Sequence, residues 1–522
     1  MGDPIKSYVS RYVIPFYFDN SSDGYSRIQN SLFDKSYLSE LKDDKVNVAL
    51  PSDGEWIKAG FWENYRYKVS EKNKEKDKHS KKQPEMDLYS YLPRVFQESD
   101  EENANNESKL GTSYTFSTNG QIFKLDYLHG MERIPIFCND LGIVIYKNGI
   151  GFIWYEIGTK NSIDATTYID LQHDIKELAR PNNTKFVKKY YDEQDKKAVS
   201  IPFCMGVWIS KVFNTQGLGI SFLAERKIED GEKSVCVPDK ALLFQYLFLE
   251  KTCADDRKDI LFHISNGFNA SYNTPESIEL NTYKPFANSE FYISNAGMCC
   301  LVTNEDSNEN FFFHQFKDRY IRDYFFIYIL LLYQSYSCVH FSRLLTELPA
   351  DEKTFRRDLQ YVDKLDVLSN QVNLFLVKSV FDSVSNMHHQ NGVYRYGKDA
   401  LSIEADIRSL TVGLDALRAV EFERKNQEEQ LVQKEKEKQE AEDKEKREQK
   451  IDRALTLFGL LVVISALLDG LNLVDWMIKN DFQFNPGHIV ISAVIVLVTV
   501  YLLVVLFKTK LPNKKNSKKE AP

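Results

Sequence analysis

The sequence has few cysteines and none of the common catalytic or metal-binding signatures. Seven cysteines are scattered through 522 residues without a Cys-x-x-Cys pair, which argues against a disulfide framework and against a tetrahedral metal clip. A GxxxxGK[ST] phosphate loop, a GxGxxG dinucleotide turn, an HExxH helix and a GxSxG elbow are also absent. We therefore expect a chain that is not an enzyme and that works in a reducing compartment.

The chain also lacks an excess of positive charge, and we expect no secretory leader in it. Its 75 acidic and 67 basic residues give a formal net charge of −8, so we expect no direct nucleic-acid binding, which depends on a basic surface. The first residues lack the continuous apolar core of a secretory signal, and Lys6 occupies a position where N-myristoylation requires Ser or Thr. The sequence therefore predicts that most of the chain stays in the cytoplasm.

Two long apolar runs stand near the C-terminal end. Residues 454–473 and 489–507 are each long enough, at about 20 residues, to cross the roughly 30 Å of hydrocarbon in a bilayer. Residues 474–488 contain a Pro-Gly pair and form a predicted outer loop. Lysine and arginine precede the first run and fill the tail at 508–522, which places both termini in the cytoplasm. We predict a multi-pass protein of the inner (cytoplasmic) membrane, with buried core helices as the alternative.

Three polar side chains share one face of the first predicted span. Ser465, Asp469 and Asn472 are spaced i, i+4 and i+7, so a helix brings them to the same side. A carboxylate inside a membrane helix is costly unless it meets water or a partner. The face is therefore predicted to line a bundle interior or an aqueous pore. The alternative is that Asp469 merely reaches the outer interface.

The same face becomes apolar toward the cytoplasmic end of the span. Phe458 and Leu461 continue it, so a symmetric assembly would place rings of bulky apolar side chains below the polar rings. Such a constriction can close by expelling water. One helix cannot enclose a pore, so several copies of the chain are required. The second span has few polar groups and is predicted to face lipid.

A charged segment leads into the first span. No Gly or Pro occurs between residues 414 and 458, and 421–453 is dense in Glu, Lys and Gln, which is typical of a long helix. Acid-before-base pairs at i, i+4 support it. We predict a stalk helix over 413–453 that passes directly into the membrane, with a disordered linker as the alternative. The lack of a sustained heptad pattern argues against an autonomous coiled coil.

The first 310 residues are predicted to form a cytoplasmic α/β sensing domain. Their β-branched and aromatic runs are separated by turn residues, as in a sheet. Over 142–155, Asn148-Gly149 separates two apolar runs, which predicts a β-hairpin with the positive φ angles of a type I′ turn. The charged stretches 68–82 and 97–109 are predicted to be exposed loops.

Residues 311–412 are predicted to form a helical bundle. An apolar helix opens this region and ends before Pro349; its uninterrupted apolar run is too short to cross a bilayer, so we predict that it is buried. A second helix is expected over 353–384, and a third leads into the stalk. The adjacent His388 and His389 point to different faces, which favours loop or surface residues over metal ligands.

Together these patterns predict an α+β membrane protein. Its cytoplasmic α/β body and helical bundle are followed by a long stalk helix and two C-terminal transmembrane helices. At roughly 150 residues per domain, a chain of this length holds several structural units rather than a single core.

Three segments of the C-terminal part resemble the CorA family of divalent-cation channels. Gly470-Leu471-Asn472 stands at the end of the first predicted span, where the family has Gly-Met-Asn. The helix 324–345 is similar to the family's cytoplasmic helix, and 361–381 resembles the helix that follows it.

The resemblance implies a pore surrounded by five subunits and lined by the first span. Gly470 and Asn472 would hold the outer mouth, where the family's motif meets a hydrated ion, whereas Leu471 in place of Met argues against strict magnesium selectivity. The enlarged N-terminal half and the altered motif look more like a branch associated with type III CRISPR systems. In that branch a nucleotide second messenger acts on the channel during antiviral defence.

Three functions fit these patterns. The first is a homopentameric ion channel gated by a ligand of the cytoplasmic body, for which a nucleotide second messenger is the candidate. The second is a constitutive magnesium or cobalt transporter, and the third is a membrane-anchored scaffold or a nucleotide-processing enzyme without a pore. The expected partners are the membrane and further copies of the chain. A divalent cation such as magnesium or a nucleotide is the expected ligand, and the sequence identifies no residues that bind either.

Overall fold

A computed structural model of the chain separates into two compact units, Met1–Glu421, called the body below, and Phe422–Pro522. The described residues are 5–32, 50–51, 53–58, 88–89, 91–96, 109–180, 185–192, 197–230, 233–249, 254–275, 280–303, 311–348, 359–479 and eight positions between 490 and 501. Apart from Lys109, the two charged stretches predicted to be exposed loops lie outside these residues.

The body is built on a large, mostly antiparallel sheet. Its described strands are β1 (Ile5–Tyr17), β2 (Glu55–Lys58), β3 (Gly111–Ser117), β4 (Phe123–His129), β5 (Glu132–Tyr146), β6 (Ile150–Thr159), β7 (Phe186–Asp192), β8 (Lys197–Pro202), β9 (Ser221–Phe222), β10 (Glu225–Asp230), β11 (Lys233–Pro238), β12 (Leu242–Leu249), β13 (Tyr283–Phe286), β14 (Ser289–Ser294) and β15 (Gly297–Thr303). Thirteen form one sheet in the order β13-β14-β15-β12-β1-β6-β5-β4-β7-β8, with β3 beside β5, β2 beside β3 and β9 beside β1. β10 and β11 form a separate hairpin. Among the described pairs, β12 and β15 run parallel.

The sheet lies between two layers of helices because its strands are apolar on both faces. The described helices are α1 (Ser22–Leu32), α2 (Tyr91–Phe96), α3 (Ala165–Lys176), α4 (Met205–Val212), α5 (Ala254–Asn266), α6 (Phe311–Thr346), α7 (Leu359–Ser379), α8 (His388–Ala400) and α9 (Ile403–Lys479). Along β1, Tyr12 and Phe16 belong to the core that includes α1, α3, α4 and α5. Val13 and Tyr17 alternate with them and join α6, α7, α8 and the first turns of α9 in a second core. The predicted mixed α+β class is confirmed.

The hairpin predicted over 142–155 is confirmed, but its predicted turn type is wrong. β5 ends at Tyr146, opposite Ile150 of β6, so three residues form the loop. Gly149 has a φ of +85°, whereas Asn148 is not among the residues with positive φ. A type I′ turn needs two such residues. The observed three-residue loop needs one, which Gly149 supplies without steric cost.

The apolar helix predicted from residue 311 is confirmed as α6, a core helix of the body. Of its most apolar 18-residue window, 78% is buried. A helix buried on all sides needs no polar face, which explains its uninterrupted apolar run. Its first turns are irregular, because Phe311–Phe316 and Tyr320–Tyr324 are π-helical.

The rest of the bundle differs from the prediction in its boundaries. The helix expected over 353–384 is observed as α7, which ends at Ser379. His388 and His389 do not lie in a loop, since they begin α8. His388 is exposed, but His389 is half-buried and its Nδ1 lies 2.7 Å from the hydroxyl of Tyr324 in α6.

The sequence did not predict α8, and its glycines explain why. Gly lowers helix propensity by about 1 kcal/mol relative to Ala in a helix interior. Here Gly392 faces the ring of Tyr283 and Gly397 faces Leu331, so a Cβ atom at either position would collide with its neighbour. The glycines therefore serve close packing against β13 and α6, which overrides their low propensity.

α9 runs without interruption for 77 residues through the predicted stalk and the predicted first span. The helical stalk over 413–453 is thereby confirmed. Ion pairs one turn apart support it: Arg424 and Glu428 are 2.8 Å apart, and Lys446 and Asp443 are 3.8 Å apart.

The predicted outer loop begins too early in the sequence. Residues 474–479 still belong to α9, which ends at Lys479, so the loop over 474–488 is wrong for those positions. Of the second predicted span, 489–507, eight positions are described, and each is helical and exposed. The tail at 508–522 lies outside the described residues.

Candidate functional site

The predicted pore face is a stripe along the C-terminal part of α9. Ser465, Asp469 and Asn472 are helical and exposed, and so are Phe458 and Leu461 on the side of the stalk. Since successive residues turn by about 100°, these five side chains fall within an arc of about 80°. One face of one helix therefore carries both the pore-lining and the gate residues that the sequence suggested. Their contact with water in a pore stays a prediction.

The rest of this segment is apolar and is left uncovered by the described part of the chain. The most apolar 18-residue window of α9 has a mean hydropathy of 2.2, and none of it is buried. Leu457 and Leu468, for example, are 65% and 55% exposed. Monomeric soluble proteins rarely expose a contiguous apolar surface of this extent, so the segment needs lipid or another chain around it.

The Gly470-Leu471-Asn472 motif lies inside α9 rather than at its end. In a helix interior each carbonyl accepts from the N–H four residues on, so the backbone of this motif is engaged within the helix, which continues to Lys479. Leu471 is 65% exposed and is turned by about 120° from Ser465. Gly470 has no side chain to offer an ion, so the prediction that Gly470 and Asn472 hold the outer mouth is kept for the side chain of Asn472 alone.

A polar turn follows the apolar segment. Lys479 Nζ lies 2.7 Å from Asp475 Oδ2, one turn before it. Trp476, between them, is 57% exposed. An aromatic ring with a polar N–H beside an ion pair suits a boundary between apolar and aqueous surroundings.

The first turns of α9 belong to the core of the body. Ile403 is fully buried and Leu410 is 2% exposed. Farther along, Arg418 Nε donates a hydrogen bond of 3.3 Å to Ser369 Oγ in α7. The helix that carries the polar stripe is therefore anchored in the body where it begins.

A polar cleft of about 280 Å³ lies beside α6 at the end of β1. His340 of α6 is 3% exposed and stacks on Tyr17 with ring centroids 5.1 Å apart. Arg343 Cζ lies 5.3 Å from the centre of the same tyrosine ring. Burial, and secondly the charge of Arg343, lowers the pKa of His340 to about 4, so its imidazole is neutral at pH 7.

Sequence reasoning did not single out this cleft. The available signal was a pair of ionisable residues, His340 and Arg343, one turn apart at the end of an apolar helix. The third partner, Tyr17, is distant in the sequence and is brought close only by the packing of α6 on β1. An aromatic stack beside a guanidinium suits a small polar ligand.

Within the described residues, no group of three or more His, Cys, Asp or Glu side chains is placed to hold a metal ion. Six of the seven cysteines are described, and these six are free thiols. Burial raises the pKa of Cys299 and Cys300 far above the usual range, so both remain protonated and act as apolar core residues.

The chain was compared with family models, with curated proteins and with solved structures, and none of the three comparisons found a match.

Proposed function

We propose that this chain is a subunit of a homo-oligomeric membrane ion channel, gated by a ligand that binds the body on the cytoplasmic side. The observation that carries the proposal is the continuous helix α9. It begins in the core of the body and ends in an uncovered apolar segment with a polar stripe on one face. α6 also has the length and composition of a span, but it is mostly buried and is therefore assigned to the body.

The proposed spans are the apolar part of α9 and residues 489–507. Moving apolar surface out of water is favourable by about 25 cal/mol per Å², which favours lipid around the uncovered segment. Trp476 and the Asp475–Lys479 pair suit the outer interface. The basic tail at 508–522 suits the cytoplasmic side. This topology places both termini in the cytoplasm and the chain in the inner membrane.

The pore itself requires several copies of the chain. In a ring of copies, Ser465, Asp469 and Asn472 would face a shared column of water, and the carboxylates would concentrate cations. Phe458 and Leu461 would form an apolar constriction nearer the cytoplasm, which closes when it loses its water. Five copies is the number that the resemblance to CorA channels implies.

Gating would pass through α9, which continues without interruption from the body into the apolar segment. No Gly or Pro occurs between residues 414 and 458, so the stalk lacks the usual kink sites. A ligand opens such a channel only if it binds the open state more tightly than the closed state. The resemblance to the CRISPR-associated branch proposes a nucleotide second messenger as that ligand, and the antiviral role rests on the same resemblance.

The charge of Asp469 provides the test. The full chain is reconstituted into planar bilayers, and every variant, including the parent, carries the substitution Leu461→Ser. This polar side chain keeps water in the constriction, so that currents are measured without a ligand. Asp469→Asn should then lower cation conductance and move the reversal potential toward that of an unselective pore, because each subunit loses one negative charge. Asp443→Asn is the matched control, since it makes the same change in the stalk portion of the same helix, and it should leave the reversal potential unchanged.

The other outcomes separate the alternatives. An identical reversal potential for Asp469→Asn and its parent would remove Asp469 from the pore. A chain that is monomeric in detergent and passes no ions would favour the membrane-anchored scaffold. Ligand-independent uptake of divalent cations by the chain with Leu461 intact would favour a constitutive magnesium or cobalt transporter.

A further inference from the structure

A second cleft of the body, with a volume of about 480 Å³, lies where the start of β1 meets the end of β6 and the first turns of α6. The residues that matter for its chemistry are Lys6, Ser7, Asn139, Lys160 and Lys317. They come from three strands or strand ends and one helix. The volume is within the range of about 300–1,000 Å³ that small-molecule sites occupy.

Three irregularities of the backbone meet at this cleft. The pairing of β1 with β12 shifts register between Ile5 and Ser7, which leaves Lys6 at a bulge. The pairing of β5 with β6 shifts between Cys138 and Asp140, which places Asn139 at a second bulge. Bulges redirect side chains and are frequent beside functional sites.

The third irregularity is in α6. Lys317 stands between two π-helical stretches, Phe311–Phe316 and Tyr320–Tyr324. Such stretches are rare and often occur at functional sites, because they displace a side chain from its regular helical position. Two unrelated strands and one helix thus depart from regular geometry around the same cavity.

Cationic side chains outnumber carboxylates in the described lining of the cleft. Lys6, Lys160 and Lys317 line it, and the described lining contains one carboxylate, Glu156. Glu156 is neutralised by Arg11, whose Nε lies 2.9 Å from its Oε2. Cations therefore outnumber carboxylates three to one among these lining residues, which favours an anion as the ligand.

Lys317 is the best placed of the three cations. Its Nζ donates a hydrogen bond of 2.7 Å to Ser7 Oγ across the cleft. Burial lowers the pKa of Lys317, while the charge of Glu156 acts in the opposite direction. An anion in the cleft would compensate the desolvation of this ammonium group and could also accept from the Ser7 hydroxyl.

We infer that this cleft binds a small molecule carrying a phosphate-type dianion, with Lys317, Lys6 and Lys160 as its cationic partners. The binding itself does not depend on the chain being a channel. A role of this anion as the gating ligand rests on the proposed function. Lys317 lies on α6, which contacts α9 within the body. The contact joins Leu345 of α6 and Gly413 of α9, because a Cβ atom added to Gly413 would lie 3.9 Å from the Leu345 side chain.

Calorimetric titration of the full chain in detergent tests the site. Inorganic pyrophosphate represents the free anion and ribose 5-phosphate represents a phosphate on an organic molecule, with sodium chloride at matched ionic strength as the blank. We expect saturable binding of at least one of the two anions, at one site per chain. The anion that binds more tightly shows whether the cleft prefers a free phosphate or a phosphate on an organic molecule.

Two lysine variants make the result specific. Lys317→Gln should weaken binding tenfold or more, because a charge-assisted hydrogen bond is lost. Lys160→Gln removes an exposed cation of the same cleft, so it tests the site even if Lys317→Gln fails to fold, and it should weaken binding several-fold. Lys284→Gln is the control, since Lys284 is 58% exposed and paired with Glu290 at 3.1 Å in another part of the body, and it should bind as the parent does.

The site is overturned if the parent binds neither anion above the chloride blank, or if Lys160→Gln and a folded Lys317→Gln both bind with unchanged affinity. Bilayer recordings with the tighter anion then address its role. Binding without a change in open probability would refute the gating role and leave the anion site standing. A failure of the channel to conduct would refute the proposed function without affecting the titration.

Discussion

Two of the described helices have the length and composition of a membrane span, and they differ in how far the rest of the chain covers them. α6 has a most apolar window of mean hydropathy 1.2 that is 78% buried, whereas the corresponding window of α9 has a mean hydropathy of 2.2 and is not buried at all. The body surrounds most of the first window, whereas the described residues leave the second window uncovered. Hydropathy thus selects candidate spans, and burial by the rest of the chain separates a core helix from a helix that needs lipid or another chain around it.

The polar residues of the two helices differ in the same way. In α6, Gln334 donates a hydrogen bond of 2.8 Å to the hydroxyl of Tyr394, and Asp323 accepts one of 3.2 Å from Gln390. Both hydrogen bonds are made with a neighbouring helix of the body. In α9 the polar stripe is exposed. These two polar groups of α6 thus make contacts within the fold, whereas contact of the α9 stripe with a lumen or interface stays a prediction.

The same substitution in each helix would sharpen this contrast. Leu331 of α6 is fully buried against Gly397, so Leu331→Ala should lower the free energy of unfolding of the body by about 2–5 kcal/mol through loss of packing. Leu467 of α9 is 42% exposed, and Leu467→Ala should change it by about 0.5 kcal/mol or less. Denaturant unfolding of the full chain in detergent, followed by the fluorescence of buried tryptophans, measures both.

Equal destabilisation by the two variants would break the comparison. It would mean that the apolar segment of α9 packs against the body, and the assignment of that segment to lipid would then be wrong.

The next largest effect is expected from pH and concerns the polar residues of α6. Since the pKa of His340 is lowered from 6.5 to about 4, the unfolded chain binds the proton more readily than the folded chain between those values. The contribution of His340 to the free energy of unfolding should therefore be fully present above pH 6.5. It should be lost as the pH falls toward 4, which lowers the free energy of unfolding by about 3 kcal/mol.

His340→Phe isolates this contribution, because it keeps a ring against Tyr17 and cannot titrate. The difference in unfolding free energy between parent and variant should depend on pH between about 4 and 6.5 and be constant above that range. A difference that does not vary with pH would show that His340 titrates normally and is not buried as described.

The sequence anticipated the features of this protein that depend on nearby residues. The hairpin at Gly149, the buried helix α6 and the uninterrupted stalk each follow from local spacing, and all three are found. Where a local rule failed, tertiary packing explains it. α8 forms despite Gly392 and Gly397 because those glycines let it approach its neighbours closely.

The features that could not be predicted join distant parts of the chain. β1 pairs with β12, so that Tyr8 lies beside Leu247, and β12 in turn pairs in parallel with β15. The hydrogen bond from Lys317 to Ser7 joins residues 310 positions apart. No local pattern specifies such a pairing, because its free energy comes from register and packing across the whole sheet. The polar stripe on α9 could be predicted from the sequence because its residues lie within one helix, where their spacing determines which face they share.

The central claim, that one face of the C-terminal part of α9 meets water inside a membrane, is tested most directly by cysteine accessibility in intact membranes. Ser465→Cys and Asn472→Cys lie on the polar stripe, whereas Leu467→Cys is turned by about 200° from Ser465 on the same helix. With labelling of the parent subtracted as background, a membrane-impermeant thiol reagent should modify Cys at 465 and 472 and spare Cys at 467. Protection at 465 and 472, or equal labelling at all three positions, would contradict the account.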